Sequence, residues 1–261
     1  MKTEVAHIEG VVGGFRILHM ADGWAAVDKP AGMSVHNDPG RDLCSRFTAF
    51  LLQHPEETGQ AGWDSECAVH PVHRIDRDTS GAVLLALGKK RVRGLSERLS
   101  ATGTKRYLAV VHGHLEAAPD AIRVWTWPLS KKAAGRTRPQ GPAPRAACTT
   151  ECRVMEHSPH YTLVEARPLT GRRHQIRRHA KLAGHPVVGD RRYGSRRALS
   201  FLQRIGFRRM ALHAATLTFT PPGEKEPVTV GDNTVPGDFR ALLEGDASDD
   251  ALGVHAAPLL P

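Results

Sequence analysis

The segment HRIDRDTSG, residues 73–81, runs directly into the apolar segment AVLLAL, residues 82–87. A continuous apolar run of this length is typical of a strand that is buried on both faces. The preceding segment is rich in charged and turn-forming side chains, so it predicts a tight polar turn before that strand. Within this turn Asp76 lies between two arginines, which should keep its carboxylate ionised.

Further strands and helices are predicted on both sides of this segment. Residues 17–23 and 24–28 indicate a hairpin with an Asp-Gly turn. Apolar, β-branched segments predict three more strands, at residues 105–113, 161–169 and 210–219. Helical spacing of apolar residues predicts helices at 46–53, 90–99, 173–183 and 195–205. Because strands and helices intermix without a regular βα repeat, the pattern favours an α+β fold.

The charge of the chain is uneven. The formal net charge is +9 over 261 residues, but residues 167–209 hold thirteen Lys or Arg against one acid, Asp190, and residues 210–261 hold two bases against eight acids. A block at +12 is difficult to keep in a compact fold without a polyanion to neutralise it. A solvated basic surface is the alternative, but nucleic acid is the better interpretation.

Composition excludes several other classes of protein. No run approaches the roughly 18 apolar residues of a membrane span, and the first residues lack the apolar stretch of a signal peptide. Four cysteines in a chain of this length are too few for a disulfide framework. We therefore expect a cytoplasmic protein.

Residues 130–147 hold five bases and no acid, which predicts a loop or a locally disordered segment, either a solvated linker or an RNA contact.

Three segments could carry chemistry, and each has a simpler structural explanation. The turn at 73–81 could hold only surface ion pairs, or His70, His73 and Asp76 could begin a metal site of a phosphoesterase. Tyr107, in the segment KRY, could be a core residue of its strand. In TGRRHQIRRH, residues 170–179, a turn opens a helix and brings backbone N–H groups and arginines together, which indicates an anion site.

Taken together, the three segments resemble a known family. HRIDRDTSG is similar to the HRLDxxTSG signature of the RluA-type pseudouridine synthases, and KRYLAVVHG resembles that family's K-x-Y-x-A-x-V-x-G strand. The block TGRRHQIRRHAKLAGHPVVGDRRYG, residues 170–194, resembles its TGRxHQxRxH…GHPxxGDxxYG block. VDKPAG, residues 27–32, and LHA, residues 212–214, also match, although Asp28 stands where Asn is usual and Ile75 where Leu is usual.

The resemblance implies a fold and a function. It implies a bent mixed or antiparallel sheet with flanking helices and a central basic cleft. We expect a catalytic domain over residues 1–245, with a core of about 17–240 and no N-terminal S4 domain, followed by an acidic, frayed tail at 246–261. The family isomerises uridine in RNA to pseudouridine without metal or cofactor. The implied partner is RNA, either tRNA or rRNA, and we expect a monomer that needs no protein partner.

The resemblance also implies roles for individual residues. Asp76 matches the catalytic aspartate, Arg177 the arginine that pairs with it, and Tyr107 the tyrosine that stacks on uracil and takes the C5 proton. A carboxylate could act as a nucleophile at the sugar or the base, or remove the 2′ hydrogen, and the sequence does not choose between these steps. Arg74 matches the arginine that fills the space of the flipped base. The remaining predicted substrate-binding residues are Ile176, near the base, His73, and the candidate phosphate contacts Arg172, Arg173, Arg178, Arg191, Arg192, Arg196 and Arg197.

Two other functions stay open at this point. The same fold could bind RNA without chemistry, although the presence of Asp76, Tyr107 and Arg177 argues against this. A metal-dependent phosphoesterase would need further carboxylates, and the basic block holds one. Among RNA targets, the segments RRH, residues 177–179, and FLQRIGFRRMALHA, residues 201–214, resemble the tRNA-modifying branch of the family more than its large-subunit rRNA branches, so the resemblance implies tRNA.

Overall fold

The chain folds into two units, and each contains strands and hydrophobic core clusters of its own. The computed structural model describes residues 11–12, 14–55, 61–116 and 121–251. Within these residues, the first unit holds the chain up to Lys105 together with Ala214–Asn233, and the second holds Arg106–His213 and the chain from Thr234 onward. The catalytic domain expected over residues 1–245 stays a prediction.

The elements follow one another with strands and helices mixed, as an α+β fold requires. In chain order they are β1 (Val11–Val12), β2 (Phe15–Ala21), β3 (Trp24–Lys29), α1 (Leu43–Gln53), β4 (Val69–Pro71), β5 (Ser80–Leu87), α2 (Lys89–Thr102), β6 (Thr104–His112), β7 (Ile122–Trp125), β8 (Leu129–Ser130), β9 (Arg145–Ala146), β10 (Thr150–His157), β11 (Tyr161–Pro168), α3 (Gln175–Leu182), α4 (Arg196–Arg204), β12 (Leu212–Phe219), β13 (Val228–Gly231) and α5 (Gly237–Ala251). None of the described helices is long and apolar enough to cross a bilayer.

The strands of the first unit follow the order β1-β2-β3-β5-β12, with β4 paired to β5 and β13 to β12. The predicted hairpin is present as β2 and β3, which pair antiparallel. Gly23 at its turn has a φ of +82°, a backbone conformation that glycine adopts without steric cost. Asp42 caps α1, because its carboxylate accepts a hydrogen bond from the backbone N–H of Ser45.

Strand β5 is buried along its whole length because helices cover both of its faces. Val83 and Leu85 pack in one cluster with residues of α1, whereas Leu84 and Ala86 pack in another with residues of α2. Side chains alternate across a strand, so a strand between two such layers must be apolar at every position. This arrangement confirms the prediction from the run at 82–87 and places the polar turn at the end of a rigid strand.

In the second unit the sheet strands follow the order β6-β11-β10-β7. Ala109 and Val111 of β6 pack with Ile176 and Ala180 of α3 on one side of this sheet. On the other side Val110 packs with residues of α4 and α5. The apolar spacing predicted for residues 173–183 is thereby confirmed, with the helix itself spanning Gln175–Leu182.

Two segments are more ordered than the sequence predicts. Residues 130–147 contain the paired strands β8 and β9 instead of local disorder. Helix α5 runs through the predicted boundary at residue 245, and its Asp246 accepts hydrogen bonds from the Ser158 hydroxyl, at 2.6 Å, and the backbone N–H of His160, at 2.8 Å. Residues 252–261 of the predicted tail lie outside the described residues.

Candidate active site

Asp76 lies in the loop between β4 and β5 of the first unit, and this loop is fastened to the sheet. The Nε2 atom of His73 accepts a hydrogen bond from the backbone N–H of Leu84 at 3.1 Å. Burial, reinforced by the positive charge of Lys105, lowers the pKa of His73 to about 3, so the ring is neutral near pH 7 and can act as this acceptor. The Nε2 atom of His73, a residue predicted to bind substrate, therefore anchors the loop to β5.

A buried ammonium group fixes the residue that follows Asp76. Lys29 is fully buried, and its Nζ donates hydrogen bonds to the carbonyl oxygens of Pro30, Met33 and Arg77 at 2.9, 2.7 and 3.0 Å. The Arg77 carbonyl also accepts from the backbone N–H of Gly32, and Arg77 Nε donates back to the Gly32 carbonyl at 2.7 Å. The VDKPAG motif thus holds the Asp76 loop in one conformation.

Arg74, the residue predicted to replace the flipped base, is exposed on the same loop. Its Nη1 lies 3.3 Å from Nε2 of His36, and Asn37 Nδ2 lies 3.2 Å from the same atom. The contact with His36 leaves the planar guanidinium on the surface, where it can stack on a base.

Arg177, in the second unit, is held by a buried carboxylate. Its Nε and Nη2 donate to the two oxygens of Asp190 at 2.7 and 2.9 Å, and Asp190 has no exposed surface. Asp190 Oδ1 also accepts from the backbone N–H groups of Arg192 and Tyr193 at 2.8 and 3.0 Å. The guanidinium lies 5.3 Å from the centre of the Tyr193 ring, whose hydroxyl is 3.0 Å from His174 Nδ1. This bidentate pair fixes the plane of the guanidinium.

Sequence reasoning did not single out Asp190 or Tyr193 as site residues. Both lie in the quoted GDRRYG segment, and Asp190 is the sole acid between residues 167 and 209. A lone carboxylate among thirteen bases could have indicated a buried partner for one of them. The sequence did not indicate which base, because contacts across 13 residues depend on the turn between α3 and this segment.

Tyr107 and Ile176 approach the same cluster of the second unit. Tyr107, half-buried on β6, packs against the core cluster that contains Ile176. Ile176 lies in the first turn of α3, which begins at Gln175. The Oε1 atom of Gln175 closes the preceding turn, because it accepts from the Thr170 hydroxyl at 2.8 Å and the Arg172 backbone N–H at 2.9 Å. The structure thus brings Tyr107, Ile176 and Arg177 into one unit, whereas His73, Arg74 and Asp76 lie in the other.

Arg178 does not lie where a phosphate could reach it. Its side chain is fully buried, and its guanidinium donates to the carbonyl oxygens of Pro139, at 2.5 Å, and Ser130, at 3.0 Å, and also to that of Gln140. This differs from the expected phosphate contact, because carbonyl groups of the 130–141 segment already occupy the donors. Arg178 instead orders that basic loop.

The other predicted phosphate contacts are on the surface. Arg192 is exposed but donates to the carbonyl oxygens of Ala134 and Ala133 at 3.0 and 2.7 Å, so it also anchors the basic loop. The remaining exposed members of the predicted set are Arg172, Arg173, Arg191, Arg196 and Arg197. Within the described part of the chain, no three His, Cys, Asp or Glu side chains are grouped as a metal site requires.

A family model described as RNA pseudouridylate synthase matches residues 23–182, more than half of the chain. The matched span includes Asp76, Tyr107 and Arg177. The chain belongs to the RNA pseudouridylate synthase family. The resemblance that the motifs indicate is thereby confirmed.

Relatives within the family are substantially longer than this chain. The ribosomal large subunit pseudouridine synthase C of Vibrio vulnificus is 34% identical over 218 residues, which are 82% of this chain and 64% of that protein. The protein of the same name from Yersinia pestis is 35% identical over 217 residues, with the same shares covered. The chain thus spans less than two thirds of the length of these relatives.

Solved structures of pseudouridylate synthase domains share the fold. Human RNA Pseudouridylate Synthase Domain Containing 1 superposes with a TM-score of 0.67 at 23% identity, covering 97% of this chain and 98% of the other. Human RNA Pseudouridylate Synthase Domain Containing 4 gives 0.63 at 20% identity, covering 87% and 91%. At these identities the likeness supports the α+β fold with a sheet and flanking helices.

Proposed function

We propose that this protein isomerises uridine in RNA to pseudouridine. The observation that carries the proposal is the family match over residues 23–182, within which this chain retains an aspartate, a tyrosine and an arginine at the motif positions. In the reaction the bond from C1′ to N1 breaks, a bond from C1′ to C5 forms, C5 loses its proton and N1 gains one. No atom is added or removed, so the reaction needs no co-substrate.

Asp76 is the proposed group that begins the reaction, either as a nucleophile or as a base. The loop that carries it is fastened by Lys29 and His73, which favours a precisely placed carboxylate. Arg177 is the proposed counter-ion of Asp76, and guanidinium suits a buried bidentate contact better than an ammonium group does. Tyr107 is proposed to stack on the uracil and remove the C5 proton.

We propose ribosomal RNA of the large subunit as the substrate. The names of the relatives from Vibrio vulnificus and Yersinia pestis point to this RNA, whereas the segments 177–179 and 201–214 resemble the tRNA-modifying branch of the family. The exposed arginines beside α3 and α4 suit either substrate, because phosphate contacts carry no sequence information.

The test uses RNA transcripts labelled with tritium at C5 of uridine, because isomerisation releases that hydrogen to water. The protein should release tritium from a large-subunit rRNA transcript and not from tRNA transcripts. Asp76→Asn should lower the rate by at least about a thousandfold while leaving RNA affinity unchanged. Asp78→Asn, an exposed neighbour on the same loop, should retain activity. Full activity of Asp76→Asn would contradict the proposed chemistry, and release from tRNA alone would contradict the proposed substrate.

A further inference from the structure

A cavity of about 380 Å³ in the first unit is lined by three arginines that none of the predicted roles uses. They are Arg41, just before α1, Arg46, on α1, and Arg77, next to Asp76. The rest of the wall is formed by Gly14, the turn at residues 30–34 and Asp38. The side chains that border the cavity therefore include three guanidinium groups and one carboxylate, a formal charge of +2.

Two of these arginines contact no carboxylate among the residues that the structure describes. Within the described part of the chain, no Asp or Glu oxygen lies within ion-pair distance of Arg41 or Arg77. Arg77 is nevertheless held in place, because its Nε donates to the Gly32 carbonyl at 2.7 Å. This bond leaves the Nη groups of Arg77 to other acceptors, and the fixed plane reduces the entropy that a ligand would have to remove.

Gly14 lies beside the third arginine, Arg46, and its lack of a side chain leaves space in the cavity. A Cβ atom placed on Gly14 would lie 3.2 Å from Nη1 of Arg46, and Gly14 has a φ of +86°, which disfavours any other residue. The absence of a side chain at Gly14 thus leaves room beside this guanidinium.

We propose that this cavity binds a phosphate group of the RNA backbone beside the target uridine, an inference that rests on the proposed function. Guanidinium groups match phosphate oxygens in bidentate geometry. Arg77 follows Asp76 directly, and its carbonyl is bonded by Lys29 and Gly32, so the phosphate contact and the proposed catalytic carboxylate share one fastened loop. This phosphate site belongs to the first unit, whereas the phosphate contacts predicted from the sequence all lie in the second.

The test measures binding of fluorescent oligouridylate to the full chain at a series of KCl concentrations. Arg41→Gln should weaken binding about tenfold, the loss expected for one charge-assisted hydrogen bond. It should also reduce the slope of log affinity against log salt by about 0.7, the value for one phosphate of a single strand. Asp38→Asn removes the opposing charge from the same cavity and should tighten binding about threefold.

Arg98→Gln is the matched control, because Arg98 is an exposed arginine of the first unit that does not line the cavity. Its binding and salt slope should stay those of the unaltered protein. Equal losses for Arg41→Gln and Arg98→Gln would mean that only net charge matters and would overturn the inference. Unchanged binding by Asp38→Asn would do the same. Binding requires no turnover, so failure here is separable from failure of the tritium release by the unaltered protein.

Discussion

The buried pair of Arg177 and Asp190 gives the sharpest prediction about stability. Asp190→Asn removes the negative charge and one of the two oxygens that accept from Arg177, while the remaining amide oxygen can still accept from the backbone of Arg192 and Tyr193. Arg177, only 6% exposed, then loses the charged acceptor that its Nε and Nη2 contact in the unaltered protein. Breaking a buried pair in this way costs about 3 kcal/mol of the free energy of unfolding.

The assay is urea unfolding followed by circular dichroism. The midpoint for Asp190→Asn should fall while the slope with denaturant stays constant, because the change affects the folded state and not the surface exposed on unfolding. Glu97→Gln is the control, because it removes one partner of the exposed pair with Arg93. Its urea midpoint should equal that of the unaltered protein. An unchanged midpoint for Asp190→Asn would refute the reasoning.

A second arm asks whether the two residues act as a unit. Arg177→Ala and Asp190→Ala should each destabilise the protein, but the double variant should cost clearly less than the sum of the two. Additive costs would mean that the 2.7 and 2.9 Å contacts carry no coupling energy. Because Asp190 positions the guanidinium, Asp190→Asn should also lower the isomerisation rate more than it weakens RNA binding.

Two further predictions concern pH and the basic loop. The pKa of His73, lowered to about 3 by burial and Lys105, lies below the unfolded value of about 6.5, so the stability from its neutral form is present above pH 6.5 and is lost as pH falls towards 3. Between pH 7 and 5 this should cost about 2 kcal/mol in urea unfolding; His73→Gln, which keeps an acceptor for Leu84, should lack that loss, and an equal loss would contradict the assignment. Arg178→Gln should release the loop that Arg178 anchors, so trypsin should cleave within residues 131–145 at least about tenfold faster. Arg173→Gln is the exposed control, and equal cleavage of both variants would show that Arg178 does not order the loop.

The elements that could be predicted from the sequence are those whose order comes from apolar packing. Strand β5 and the hairpin of β2 and β3 have alternating or continuous apolar patterns, and α3 has its apolar residues at helical spacing. The positions of Asp76, Tyr107 and Arg177 were predictable for another reason, because each lies in a motif with its own turn, strand or helix.

The elements that could not be predicted are those ordered by polar contacts over long distances. The loop at 130–147 has no apolar periodicity. It is held instead by the guanidinium groups of Arg178 and Arg192, which donate to its carbonyl oxygens. Helix α5 continues past residue 245, where the Asp246 carboxylate accepts hydrogen bonds from the Ser158 hydroxyl and the His160 backbone N–H. Composition predicts that both segments are solvated, because it does not show which group a charged side chain will contact in the folded protein.

Arg177 and Arg178 show why residue type alone does not assign function within the basic block. Neighbouring residues of an α-helix point about 100° apart, so one guanidinium faces the carboxylate of Asp190 and the other faces the carbonyl oxygens of Ser130 and Pro139. Both are buried, yet the first has a charged partner, whereas the acceptors of the second among the described residues are neutral carbonyl and hydroxyl oxygens. The block at +12 therefore includes arginines whose donors are occupied by other groups of the protein. The charge available to RNA is that of the exposed arginines.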